Sequence, residues 1–167
     1  MKKIVLIAMF FMVTPITSAC ECVANDPFLT VAQKADFISL IKVKRYLSYK
    51  SINGKSTPMS MEVEIVKKYK GIEARKTIVI WGDNGILCRP YLSQFEVGQS
   101  YVMSLLKGST GRGNEGEKET DYFVSICGKY WLSADMKSKR VTGVISDHEK
   151  SLSLKELKKR LTIDRKL

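Results

Sequence analysis

Histidine is almost missing from this chain of 167 residues: His148 is the only one. That excludes a zinc site built on several imidazoles, and it makes any Ser-His or Cys-His catalytic pair depend on a single residue. His148 sits in Asp147-His148-Glu149, a polar stretch that reads as surface, so no catalytic residue is assigned and the chain is not read as an enzyme. After Val13 there is also no apolar run long enough to cross a bilayer, which takes ~20 residues. Acidic residues are few, 17 against 28 lysines and arginines, giving a net charge of +11. No basic cluster is interleaved with aromatics as a nucleic-acid platform would be. The excess charge is therefore expected to be a solvated, lysine-rich exterior, with no nucleic-acid partner.

What is present begins with an export signal. Lys2 and Lys3 precede the apolar run Ile4–Val13, and Thr17-Ser18-Ala19 supplies small residues for cleavage. Residues 1–19 are expected to be a signal peptide, and the protein to be secreted or periplasmic. Losing Lys2 and Lys3 with the leader takes the charge from +11 to +9. An alternative uses the same residues: a cysteine directly after Ser-Ala is the acceptor position of a bacterial lipoprotein, which would anchor the chain to a membrane through a lipid on Cys20.

Four cysteines, Cys20, Cys22, Cys88 and Cys127, fit an oxidising compartment. Cys20 and Cys22 are one residue apart and cannot easily bridge each other. Two pairings remain, and each ties the N-terminal segment to two remote points. Each bridge closes a long loop and contributes ~4–5 kcal/mol in the chain-entropy model.

The rest of the chain reads as short strands separated by turns. A short helix is expected near Thr30–Ala35. Phe37–Leu47 follows as a strand, with Ile41, Val43 and Leu47 on one face and Lys42, Lys44 and Tyr46 on the other. Asn53-Gly54 is a hairpin signal. Met59–Val66, Thr77–Trp81, Tyr101–Leu106 and Tyr122–Cys127 are the next strands, with Val141–Ile145 a weaker candidate. Gly111–Gly116 matches GxGxxG as text, but no helix begins at its end to face a phosphate. It is expected to be a mobile hairpin loop. Ser153 and Glu156 have the spacing of a capping box, and Leu154, Leu157 and Leu161 line one face of a helix over 153–162. The expected fold is mainly β: a small five-stranded antiparallel barrel or sandwich over 20–131, a short N-terminal helix, and a C-terminal extension over 132–167 whose helix packs on it. A monomer is expected.

The terminal Cys20-x-Cys22, the strand count, Cys88 after the third strand and Cys127 ending the fifth resemble the netrin-like domain, and within it the tissue inhibitors of metalloproteinases (TIMP). Ala35-Asp36-Phe37, Tyr69-Lys70-Gly71, Phe95-x-x-Gly98-Gln99-x-Tyr101 and Ser125-Ile126-Cys127-Gly128 with Trp131 add to the likeness, which covers about Cys20–Trp131. The resemblance implies an OB-type closed barrel and the pairing Cys20–Cys88 with Cys22–Cys127. It also implies a metalloendopeptidase inhibitor with no cofactor of its own. The α-amine and carbonyl oxygen of Cys20 would chelate the partner protease's catalytic zinc, which keeps one position open. Cys20, Glu21, Cys22 and Val23 would enter the protease cleft, with Ile86 and Leu87 along its edge. Glu21 would then select a zinc metalloprotease whose pocket accepts a carboxylate. The alternative is a non-inhibitory netrin-like binding or structural module whose partner is another envelope or extracellular protein.

Overall fold

Asn53 and Gly54 both take left-handed backbone angles, with φ of 50° and 75°. That pair of angles makes the tight turn whose twist matches two antiparallel strands. It joins the two longest strands of the protein, β1 (Phe37–Ile52) and β2 (Lys55–Lys70). The structure, a computed structural model, describes residues 20, 22, 24–108 and 111–163. The expected signal peptide, Glu21 and Val23 lie outside the described residues.

Helix α1 (Phe28–Lys34) precedes the hairpin. Strands β3 (Thr77–Trp81), β4 (Ser100–Lys107), β5 (Tyr122–Phe123), β6 (Trp131–Asp135), β7 (Arg140–Thr142) and β8 (Ser151–Ser153) follow it, and helix α2 (Leu154–Ile163) closes the described chain. The strands form one mixed sheet in the order β1-β2-β3-β5-β4-β6-β7-β8, and β1 also pairs with β4. All neighbours run antiparallel except β3 and β5, which are parallel at Ile80–Tyr122 and Trp81–Phe123.

This corrects the expected five-stranded OB-type barrel. Eight strands form, flanked by two helices. Residues after Trp131 extend the sheet past β4 through three short antiparallel pairings. They hold in place because Leu132, Ala134 and Val141 turn inward at alternate positions and are buried. The fifth expected strand, Tyr122–Cys127, shrinks to two residues, because the chain leaves the sheet after Phe123 to reach Cys127.

Two apolar cores lie on the two faces of the sheet. Phe37, Ile41 and Val43 of β1 meet Met61, Ile80, Met103 and Tyr122 in one. Ile38 and Leu40 turn the other way and meet Phe28, Val102, Leu157 and Leu161. The first half of β1 is therefore buried on both sides, which is why its sequence, Phe-Ile-Ser-Leu-Ile, is nearly continuous in apolar residues.

Further along β1 the expected faces are reversed. Leu47, placed with the core, is 42% exposed, while Tyr46, placed with the lysines, packs against the core and donates its hydroxyl to Phe95 O at 2.8 Å. The cause is an irregularity in the β1–β2 ladder between Val43 and Arg45, where the register shifts. One extra residue in a strand exchanges its two faces beyond that point.

Both helices start where they can be capped. Phe28 and Leu29 of α1 donate their amides to Val144 O and Ile145 O, each at 3.0 Å. Ser153 Oγ accepts the Glu156 amide of α2 at 3.1 Å, the first half of the expected box. Glu156 itself turns to Arg160, one turn along, instead of back to the cap.

Candidate functional site

The chain between Trp81 and Leu92 leaves the end of β3 as a loop that is bonded to itself. Gly82 donates to Met59 O at 2.9 Å, Asp83 to Pro90 O at 3.1 Å, and Leu87 to the Asp83 carboxylate at 2.6 Å. Gly82 is required there, since a Cβ would lie 2.6 Å from the Leu92 side chain. A second loop, 124–130, runs alongside. Ile126 donates to Cys88 O at 3.2 Å, so the two cysteine-bearing loops touch through their backbones.

Against these loops lies the N-terminal segment. Disulfides join Cys20 to Cys88 and Cys22 to Cys127, closing separations of 68 and 105 residues. This is one of the two pairings that spacing leaves open. The amide of Lys129 donates to Asp26 O at 2.8 Å, which continues the attachment toward α1. Three separate stretches of chain thus form a single edge. On it Cys20, Cys22 and Cys88 are exposed, Ile86 is 77% exposed and Ile126 is 40% exposed. Leu87, expected beside Ile86 as a contact, is half-buried.

Beneath the edge is an ion pair that sequence reasoning missed. Arg89, next to Cys88, is buried, and both its terminal nitrogens donate to Glu117, at 2.6 and 3.0 Å. Glu117 also accepts the amide of Asn114 at 2.9 Å, and the guanidinium lies 4.1 Å from the centre of the Phe123 ring. A buried pair of this kind depends on well-made hydrogen bonds, and here both carboxylate oxygens are taken up by the guanidinium while one also accepts the Asn114 amide. The pair draws down the glycine-rich loop expected to be mobile. Asn114 Nδ2 also donates to Gly82 O, and Trp81 Nε1 to the Asp121 carboxylate, both at 2.9 Å. Gly113 packs directly on the Glu117 carboxylate, where no Cβ would fit. The signal in the sequence was slight: an arginine between a cysteine and a proline, and a glutamate amid glycines.

A cleft of about 320 Å³ opens beside the edge, lined among others by Tyr49, Met59, Trp81, Asn84 and Asn114. A wider groove of about 940 Å³ lies across the start of β4 and carries charges of both signs, Lys42 and Lys137 with Glu64 and Asp135. His148 is exposed, in the turn between β7 and β8.

The zinc-chelating reading is corrected. Cys20 is bonded to Cys88 and is not free, and among the described residues no group of three or more His, Cys, Asp or Glu could hold a metal. With the barrel also replaced by an eight-stranded sheet, neither the inhibitor mechanism nor the TIMP-like and OB-fold descriptions are carried forward. No protein-family model matches the chain, and no curated protein matches it. The netrin-like resemblance rests on cysteine spacing and short segments alone, and it assigns no residue a role here. Among the described residues no helix is long and apolar enough to cross a membrane.

A second buried carboxylate sits where β3 begins. Glu73 accepts the Arg75 side chain at 2.9 and 2.6 Å, the Arg75 amide at 2.9 Å and the Tyr122 hydroxyl at 2.9 Å. The Arg75 guanidinium is the main reason that its pKa falls from 4.5 to about 2, with the Arg75 amide and Tyr122 hydroxyl helping, against the opposing effect of burial.

Two outcomes follow. Glu117→Gln leaves Arg89 buried without a counter-charge and is expected to cost ~3–5 kcal/mol in urea unfolding; a loss below ~1 kcal/mol would show that the pair is solvated. Glu73 is ionised more readily folded than unfolded. Its contribution, at most ~3 kcal/mol, is complete above the unfolded pKa and disappears as pH falls from 4.5 toward 2. Glu73→Gln should flatten that part of the stability–pH curve, and an unchanged slope would contradict the assignment.

Proposed function

We infer that the chain is an exported, non-enzymatic binding module, and that the stapled edge carrying Cys20, Cys22, Ile86 and Ile126 is its contact surface. The observation that carries this reading is Ile86. A large apolar side chain 77% exposed costs little in a mobile loop that can fold it away, but this loop is held on every side. Such a residue, kept in water on a rigid support, gains by burial against a partner, and the preorganised loop loses little entropy on binding.

Export is supported by the cysteines. All four are paired, and among the described residues none is free. Bridges that close loops this long are stable in an oxidising compartment and rare in a reducing one. The partner is a protein with an apolar recess that can take one branched side chain.

A photo-crosslinking residue placed at position 86 in the native cell tests this reading. A discrete protein adduct is expected, with none from the same residue at exposed Val144. Equal labelling at both positions, or none at position 86, overturns it.

A further inference from the structure

The arm formed by β1 and β2 runs on past the end of β3, and the loop after Trp81 closes against it, with Gly85 lying on Ile52 near the tip of the arm. The glycine-rich loop comes down on the same place. Asn114 Nδ2 holds Gly82 O at 2.9 Å, and Gly116 lies against the Trp81 ring. The cleft of about 320 Å³ is where these three segments meet, at the small end of the roughly 300–1,000 Å³ of small-molecule sites.

Its walls are held in place. Tyr49 is 58% exposed, and its ring stands edge-on to Tyr46 with 6.3 Å between centroids. Tyr46 is itself tied down, its hydroxyl donating to Phe95 O. Trp81 is anchored through Nε1 to Asp121, and Met59 beside it is buried.

The polar groups come from two carboxamides, each engaged on one side only. Asn84 Oδ1 accepts the Ile86 amide at 3.3 Å, and its Nδ2 has no partner among the described residues. Asn114 is the converse: Nδ2 is engaged by Gly82 O, and Oδ1 has no partner among the described residues. The cleft therefore offers one open donor and one open acceptor, both oriented by the backbone.

The charges favour neither sign. Lys50 and Glu115 line the cleft, one of each. Behind the wall Arg89 pairs with Glu117, Asp121 accepts from Trp81 and from the Lys118 amide, and Asp83 accepts the Leu87 amide. An anion would meet Glu115 and a cation Lys50, so a neutral ligand fits best.

We propose that this cleft binds a neutral N-acetylated hexosamine unit of a saccharide, its ring on Tyr49 and its acetamido group at Asn84 and Asn114. A pyranose has an apolar C–H face, which an exposed tyrosine ring can cover. An acetamido group has one carbonyl that accepts and one N–H that donates, matching the open Asn84 and Asn114 groups. Its methyl finds apolar surface at Met59 and Trp81. A nucleotide could also stack on Tyr49, but its phosphate would face Glu115. The inference is independent of the protein contact at Ile86, a residue that does not line the cleft.

Calorimetric titration of the full chain with chitotriose, the trimer of N-acetylglucosamine, tests it. Binding is expected with a dissociation constant of about 1 mM or tighter. Cellotriose, the matching glucose trimer, should bind about tenfold more weakly, having no acetamido group. Tyr49→Ala should weaken chitotriose binding about tenfold, and Tyr49→Phe, which keeps the ring, should restore it. Asn84→Ala should cost about fivefold, while Ile86→Ser leaves binding unchanged. No binding at about 10 mM, equal binding of the two trimers, or Tyr49→Ala binding as tightly as the native protein overturns the proposal. Adenosine bound more tightly than chitotriose would also overturn it, and would assign the cleft to a flat base.

Discussion

Two covalent bonds hold the N-terminal segment against two loops that are far apart in sequence. Cys20–Cys88 and Cys22–Cys127 close separations of 68 and 105 residues, so most of the chain lies inside one ring or the other. In the unfolded chain such rings remove conformational freedom, and in the folded chain they fix an edge that no regular strand supports. The Arg89–Glu117 pair works from below on the same loop. It gives the residue after Cys88 a buried partner, and it pulls the glycine-rich segment over the end of β3.

The same arrangement recurs at the opposite end of β3. Glu73 and Glu117 are both buried carboxylates with several donors, and each fixes a short loop on which one isoleucine stands in solvent. Ile86 is presented by the first loop and Ile72 by the second. Between them the core is ordinary, apolar on both faces of a twisted sheet with a helix pair covering one side. The polar interactions that are expensive to bury are therefore spent at the two ends, where loops would otherwise move. That distribution holds the loops at both ends of β3 in fixed positions.

Part of this was legible in the residues. The paired cysteines, the Asn53-Gly54 turn, the strand Thr77–Trp81 and the Ser153 cap each have a local cause, and each stands where its chemistry places it. Tyr46 and Leu47 were misplaced because the register shift near Val43 has no local signature, and periodicity carried through it gives the wrong face. Strands β6 to β8 are three to five residues long, too short for a period of two to show against a basic background. They turned an expected barrel into a longer sheet. The two carboxylate clusters were invisible for a different reason. Arg89 and Glu117 are 28 residues apart, Glu73 and Tyr122 are 49 apart, and only the fold brings each pair together.

The account rests on which cysteine meets which. Non-reducing proteolysis followed by mass analysis of the linked peptides measures that directly. One peptide pair should join Cys20 to Cys88 and another Cys22 to Cys127, with no free thiol. Crossed peptides, Cys20 with Cys127 and Cys22 with Cys88, or unpaired thiols in the native protein, would contradict it.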